Sequence, residues 1–169
     1  MDARLKKLER TLTDAISGFS AEDLSWHPPG KWCAAEVLEH LYLTYTGTGR
    51  GFERIADAGK PLATSQRMQW RAMLVVWVGY FPQGRKSPEA AKPRGMPSAQ
   101  IVKDILSAIE RMDEAITRAE VTFGHNQKLL DHPILGPLNA NQWRKFHLIH
   151  GLHHAKQLRR LRESCRAKR

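Results

Sequence analysis

The sequence predicts an all-α protein: a four-helix bundle with an additional short helix and a proline-rich irregular segment between helices 2 and 3. Apolar residues recur at three- and four-residue steps over four long stretches, which is the spacing of one face of an α-helix. No strand-like alternation of useful length occurs, and clusters of proline and glycine separate the stretches. A chain of 169 residues suits a single domain, 1–169, with a basic tail at about 163–169.

The first helix is predicted over residues 2–17, ending near Gly18. Its apolar stripe consists of Leu5, Leu8, Leu12 and Ile16. The next distinctive segment, SWHPPGKW at residues 25–32, contains two prolines and a glycine. Because these residues interrupt helices, the segment predicts a turn.

The second helix is predicted from Cys33 to about residue 58. Its apolar side carries Val37, Leu41, Phe52 and Ile55. Three glycines lie within residues 47–51. They predict a bend or break, since glycine costs about 1 kcal/mol relative to alanine inside a helix.

The additional short helix is predicted over residues 66–81, where Pro82 ends it. Its apolar positions are Trp70, Met73, Leu74, Trp77 and Phe81. Four prolines then lie within residues 82–97, and they predict an irregular basic stretch.

The last two helices have clearer boundaries. Ser98 is the expected N-cap of the third long helix. Its stripe consists of Ile101, Ile105, Ile109, Met112 and Ile116. A loop through GHNQKLLDHPILGPL follows. Asn139 and Gln142 have the spacing of a capping box, so the last helix is predicted over residues 140–163.

The net charge of +10 is concentrated in residues 82–97, which carry +3, and residues 156–169, which carry +6. Nucleic-acid binding by the tail is a less favoured alternative, because no recognition motif occurs and a charge run is usually a solvated face. No apolar run reaches the roughly 18 residues of a membrane helix. The two cysteines form no metal-binding pair. We therefore expect a cytoplasmic protein without disulfides.

Half of the eight histidines lie in FHLIHGLHHAKQLRRL, residues 146–161. His150 and His154 are one turn apart on the apolar face of the last helix, so their rings can converge. Burying two imidazoles is unfavourable unless their nitrogens find partners, and a divalent metal ion is such a partner. His40, on the inward face of the second helix, is the candidate third ligand.

Other roles stay open for these histidines. His40 alone could be a hydrogen-bonded core residue, and His147 could replace His154 in a pair with His150. His153 points away from the centre of the face, so a surface position or support of a ligand is favoured for it. Three further histidines lie in predicted loops and are assigned no metal: His27, His125 and His132.

Five other residues are candidates for roles at or near this site. Glu36 and Glu39 are weaker ligand candidates, although Glu36 lies one turn before the histidine of helix 2 and could orient it or bind the metal. Cys33 carries a thiol that could be reactive, but a packing role is favoured. Arg144 or Lys145 could attract an anionic substrate, although a solvated position is favoured for both.

Two segments, GKWCAAEVLEHL at 30–41 and HPILGPLNANQWRKFHLIHGLHHAKQ at 132–157, resemble the DinB-like family of small bacterial metal-binding helical bundles. The second contains the pattern H-x-x-H-H-x-x-Q, and the resemblance covers nearly the whole chain. It implies a bundle, often dimeric, that holds zinc, nickel or another divalent ion at His40, His150 and His154. Cys33 departs from the serine or threonine often found there, which implies weaker capping of the second helix.

Three neutral histidines leave an open position on a zinc-like ion, as catalytic metal sites do. Some DinB-like relatives are thiol-dependent transferases or isomerases. The resemblance therefore implies a metal-dependent hydrolase or thiol-dependent S-transferase that acts on a small electrophile, with a low-molecular-weight thiol as cosubstrate. No side chain is identified as a general base. The alternative is a bundle that binds metal or another ligand without turnover.

Overall fold

The computed structural model describes residues 1–67 and 87–167. Within these ranges the helices are α1 (Ala3–Ile16), α2 (Ala21–Ser25), α3 (Ala34–Ala58), α4 (Ser98–Phe123) and α5 (Ala140–Arg166). A 3₁₀ turn, Glu89–Ala91, precedes α4, and strands β1 (Leu130–His132) and β2 (Gly136–Leu138) precede α5. The all-α prediction is confirmed. Most of the short helix predicted over residues 66–81, and residues 82–86 of the proline-rich stretch, lie outside the described residues.

The first two helices both begin with side-chain caps. Asp2 accepts a hydrogen bond from the backbone N–H of Arg4 at 2.8 Å, and this cap starts α1 at Ala3, one residue later than predicted. Ser20 and Asp23 form a capping box that starts α2. Helix α2 was not predicted from the sequence, because its five residues are too few for an apolar stripe.

Helix α3 is not broken at its glycines, contrary to one of the two outcomes predicted there. It runs without interruption from Ala34 to Ala58. A Cβ atom on Gly51 would lie 2.6 Å from Leu130 Cδ2, and one on Gly49 would lie 3.6 Å from Met112 Cα. The glycines therefore let β1 and α4 approach the helix closely, and packing offsets their low helix propensity.

Two boundaries differ from the predictions around α4 and the hairpin. Pro97 occupies the N-cap position and Ser98 is the first helical residue, so the assignment of Ser98 as N-cap was wrong. Proline is stable there because it has no N–H to leave unpaired at the helix start. The predicted loop before α5 contains the antiparallel pair β1 and β2. Three residues per strand are too few for alternation to be visible in the sequence.

Helix α5 begins as predicted and ends later than predicted. Gln142 donates its backbone N–H to Asn139 Oδ1 at 2.9 Å, and Asn139 N–H donates to Gln142 Oε1 at 3.0 Å. This capping box is confirmed. The helix continues to Arg166, because Cys165 is buried at 6% exposure and extends the apolar face of the helix.

The core lies between two pairs of long helices, with α3 packed mainly along α4 and α1 mainly along α5. The largest fully buried side chains include Leu5, Leu8, Leu12, Leu41, Tyr45, Phe52, Ile105 and Met112. No helix among the described residues is long and apolar enough to cross a membrane.

Candidate metal centre

The structure brings together the three histidines chosen from the sequence. His40 comes from α3, and His150 and His154 come from α5. Their Nε2 atoms converge: His150 Nε2 lies 3.2 Å from His40 Nε2 and 3.1 Å from His154 Nε2. All three residues are buried: His40 is 4% exposed, His150 is 5% exposed and His154 is 7% exposed. A histidine pair on one helix and a single histidine on another thus form one buried cluster.

The hydrogen bonds on the outer side of two rings fix which nitrogen faces inward. His40 Nδ1 lies 2.8 Å from the backbone carbonyl of Ala91, and His154 Nδ1 lies 2.9 Å from Gln157 Oε1. Because a carbonyl oxygen only accepts, each Nδ1 carries the hydrogen and each Nε2 presents a lone pair.

The inward-facing atoms cannot all satisfy one another. Two lone pairs, from His40 and His154, approach His150 Nε2, which carries at most one hydrogen. That nitrogen can donate to one of the two lone pairs but not to both. A cation among the three Nε2 atoms removes this conflict, because each nitrogen then offers a lone pair to the same positive charge.

The spacing also fits a metal ion. Zn–N bonds of about 2.0–2.1 Å at tetrahedral angles place two ligand nitrogens about 3.3–3.4 Å apart. The two measured separations of 3.2 and 3.1 Å are within a few tenths of an ångström of that value. All three ligand atoms lie within 4.8 Å of one another. The donor set is therefore compatible with a zinc-like ion.

Burial keeps the three imidazoles neutral, which is the form that binds metals. Desolvation lowers the pKa of His40 and lowers that of His154 to about 3. The pKa of His150 lies well below the ordinary value, first through desolvation and then through its histidine neighbours. A proton therefore does not compete for the Nε2 atoms near neutral pH.

Aromatic side chains hold the cluster from outside. Phe146 stacks on His150 with ring centroids 5.3 Å apart and 13° between the planes. Half-buried Trp32 lies 5.5 Å from the His40 ring. His153 is also half-buried and meets His154 edge-on at 5.1 Å. His153 thus lies beside one of the three clustered histidines, and both roles predicted for it, a surface position or support of a ligand, stay predictions.

Glu39 supports the cluster through the chain segment before α4. Its carboxylate is buried at 1% exposure and accepts backbone N–H bonds from Arg94 at 2.7 Å and from Gly95 and Met96 at 3.1 Å each. These bonds tie to α3 the same segment whose Ala91 carbonyl orients His40. From the sequence, Glu39 was a candidate only as a ligand. The sequence feature that could have indicated this anchoring role is the position of an acidic residue next to an inward-facing histidine.

Glu36 and Cys33 bond to each other and do not orient His40. The carboxylate of Glu36 accepts the backbone N–H of Cys33 at 2.8 Å. This bond caps α3 even though Cys33 stands where serine or threonine was expected. Cys33 is 3% exposed, and burial raises the pKa of its thiol. The thiol is therefore protonated near neutral pH, which agrees with the favoured packing role.

The remaining histidines lie outside the cluster. His147 is fully buried against the rings of Tyr45 and Trp143, and it does not replace His154 beside His150. Burial lowers the pKa of His147 to about 3. In the hairpin, His132 Nδ1 accepts two backbone N–H groups at 3.1 Å each. These bonds give His132 a structural role.

Arg144 is neither solvated nor free to attract a substrate, contrary to both readings of the sequence. It is 6% exposed and forms ion pairs with Asp113 at 2.7 Å and with Glu120 at 2.5 Å. Asp113 also accepts the backbone N–H of Asp2 at 2.7 Å. The arginine therefore joins α5 to α4 and to the start of α1. Lys145 beside it is half-buried.

Comparison with known proteins gives the chain a family and no activity. The sequence model of the family described as "Protein of unknown function (DUF1569)" matches residues 2–161. That range includes all three clustered histidines. No curated protein and no solved structure matches the chain.

Proposed function

Because the chain belongs to the DUF1569 family, whose description names no function, we propose a function from the histidine cluster itself: the protein binds a divalent metal ion, zinc or nickel, through His40, His150 and His154. The observation that carries the proposal is the convergence of three Nε2 atoms, two of which present lone pairs to the third. Imidazole nitrogens are common ligands of both ions.

The proposal extends to a DinB-like identity. Segments 30–41 and 132–157 carry the resemblance, and the single histidine in α3 with the pair in α5 agrees with it. From this resemblance we also propose a bacterial origin and a homodimeric assembly. Sedimentation in solution would measure the mass of the assembly. The match to a family of undescribed function is compatible with this placement.

The reaction we propose is thiol transfer to a small electrophile, or hydrolysis of one. A bound zinc or nickel ion supplies a Lewis acid that lowers the pKa of a coordinated thiol or water. Neutral imidazoles support this chemistry because they leave the positive charge of the ion uncompensated. Phe146 packs against the ring of His150, and Trp32 packs against the ring of His40. The thiol comes from a low-molecular-weight cosubstrate, and Cys33 takes no part in this step because it is buried seven residues before His40, outside the histidine cluster.

Metal analysis of the full chain, purified without a histidine tag, tests the binding step. We expect zinc or nickel in the wild-type protein and one equivalent less in a His150→Ala variant. The matched control is His125→Ala, because His125 is exposed in the loop after α4. Equal metal content in the wild type and His150→Ala would contradict binding at the cluster.

A panel of low-molecular-weight thiols and small electrophiles tests the reaction. Metal-dependent conversion that is lost in His150→Ala supports an enzyme. The burial of all three histidines favours a second candidate, a bundle that binds metal without turnover. Metal binding with no conversion of any pair in the panel would favour that candidate.

A further inference from the structure

A second group of metal-ligating side chains lies at the start of α3. His27, Cys33 and Glu36 each offer one ligand atom, and these three atoms lie within 4.8 Å of one another. His27 Nδ1 is 3.5 Å from Glu36 Oε2. None of the three residues belongs to the histidine cluster, and the proposed function does not use them.

The local backbone places these side chains together. Pro28 accepts the backbone N–H of Lys31 at 3.1 Å, and Gly30 takes a φ of 64°. This turn carries two prolines in succession, which stiffen it. The turn reverses the direction of the chain, so that His27 faces the first turn of α3. Cys33 stands at the N-cap of that helix and Glu36 lies three residues later, on the same side.

We propose that His27, Cys33 and Glu36 form a second metal site that takes a zinc-like divalent cation. Thiolate, imidazole and carboxylate are the three side-chain ligands that zinc binds in proteins. One thiolate and one carboxylate bring two negative charges, which balance the charge of the ion. The Cys33 thiol releases its proton to solvent as the sulfur–metal bond forms.

The surroundings of the three residues suit an accessible site. The side chain of Glu36 is 31% exposed and that of His27 is 59% exposed, whereas Cys33 is 3% exposed. Solvent thus reaches the histidine and the carboxylate, while the sulfur lies beneath them. Burial raises the pKa of the Cys33 thiol, and the Glu36 carboxylate raises it further, whereas the backbone N–H groups of Glu36 and Ala35 lower it. The positive charge of a bound cation would displace the thiol proton.

This site is separate from the histidine cluster. Cys33 and His40 are seven residues apart on α3, which is about 10 Å along a helix axis at 1.5 Å per residue. Metal ions that share a catalytic step lie about 3.5–4 Å apart. Each site would therefore hold its own ion. Their chemistry differs too, because the cluster offers three nitrogens and this site offers nitrogen, sulfur and oxygen.

Cobalt(II) binding to the full chain distinguishes the two sites, because a thiolate bound to cobalt gives a sulfur-to-metal absorption band that three imidazoles cannot give. We expect this band in the wild type and in His150→Ala, and we expect its loss in Cys33→Ser. The matched control is Cys165→Ser, which removes the other buried cysteine and should keep the band. Zinc titration should show two equivalents in the wild type and one in each site variant.

His27→Ala provides a readout that does not disturb the core, because His27 is exposed. Losing a direct ligand should weaken zinc binding at this site at least about tenfold, since even partners outside the ligand shell contribute 10- to 100-fold. A wild-type protein without the thiolate band, a band that survives Cys33→Ser, or unchanged affinity in His27→Ala would each overturn the second site. Failure of the histidine cluster would look different: one equivalent with a thiolate band, unaffected by His150→Ala.

Discussion

At the scale of single residues, the most informative groups are buried polar side chains on otherwise apolar helix faces. His40, Glu39 and Tyr45 all lie on α3 and are 4%, 1% and 0% exposed. A buried polar group is unfavourable unless it finds a partner, so each one indicates either an interaction or a loss of stability. His40 meets two histidines, and Glu39 meets three backbone N–H groups.

Glu39→Gln is expected to weaken both the fold and the metal centre. An amide side chain has one acceptor oxygen where the carboxylate has two, so some of the N–H groups of residues 94–96 lose their partner. We expect a loss of about 1–3 kcal/mol in the free energy of unfolding and about 10- to 100-fold weaker metal binding. Urea unfolding and zinc titration measure the two effects.

The matched control for this change is Glu53→Gln, an exposed position on the same helix. It should change stability by no more than about 0.5 kcal/mol. If Glu39→Gln behaved like this control in both measurements, the segment before α4 would not position His40.

Tyr45→Phe is expected to leave stability unchanged or to raise it by up to about 1 kcal/mol. The Tyr45 hydroxyl is buried and has no hydrogen-bond partner among the described residues. Removing it therefore removes a desolvated group and breaks no bond. Thermal and urea unfolding measure the change. A loss of 1 kcal/mol or more would contradict this account, because it would require a bond to that hydroxyl.

At the scale of helices and strands, close backbone approach explains why glycines stand inside helices. Gly151 in α5 faces α1 and Tyr45, and an added Cβ would lie 2.1 Å from Leu8 Cδ1 and 3.1 Å from the Tyr45 hydroxyl. Leu8 is fully buried, and protein interiors contain few voids into which a displaced side chain could move. The contact between α1 and α5 therefore depends on the missing side chain.

Gly151→Ala and Gly47→Ala should change stability in opposite directions. Alanine at 151 should lower the free energy of unfolding by about 1–3 kcal/mol through overpacking. Gly47 is exposed on α3, and a Cβ there would meet nothing within 4 Å. Alanine at 47 should raise stability by about 0.5–1 kcal/mol through helix propensity. Urea unfolding of the two variants measures the sign of each stability change. A stabilised Gly151→Ala would contradict the close contact and show that α1 lies farther from α5.

At the scale of the whole molecule, titratable groups tie the helices together and set the response to acid. Arg144 joins three helices through Asp113 and Glu120. Burial lowers the pKa of His132 to about 4 and that of His147 to about 3, from an ordinary value of 6.5. The folded protein thus holds these histidines neutral under conditions in which the unfolded chain protonates them.

The metal-free protein is expected to lose stability as the pH falls from about 6.5 to about 4. In that window the unfolded chain binds protons that the folded protein does not bind, so the free energy of unfolding decreases with falling pH. Each such histidine contributes a slope of up to about 1.4 kcal/mol per pH unit. Urea unfolding at a series of pH values, with a chelator present, measures the slope.

His147→Leu should make this pH dependence shallower, because it removes one of the histidines that burial holds neutral. His125→Gln is the matched control, since His125 is exposed. A slope in His147→Leu equal to that of the wild type would contradict the assignment of acid sensitivity to the buried rings.

Local patterns in the sequence determined most of the helices and the direction in which the key histidines point. The three- and four-residue spacing predicted all four long helices, and Asn139 with Gln142 predicted the start of α5. The same spacing put His150 and His154 on one inward face and His40 on another. These properties depend on residues within a turn or two of one another, so they can be read from the sequence alone.

Only the tertiary structure decided which of these groups meet. His40 and His150 are 110 positions apart, and their contact depends on how α3 and α5 are rotated against each other. The burial of Arg144, the use of Glu39 as an anchor and the hairpin before α5 likewise depend on distant partners. The physical reason is that helix periodicity fixes a direction from the helix axis, whereas the partner in that direction is fixed by the packing of the entire core.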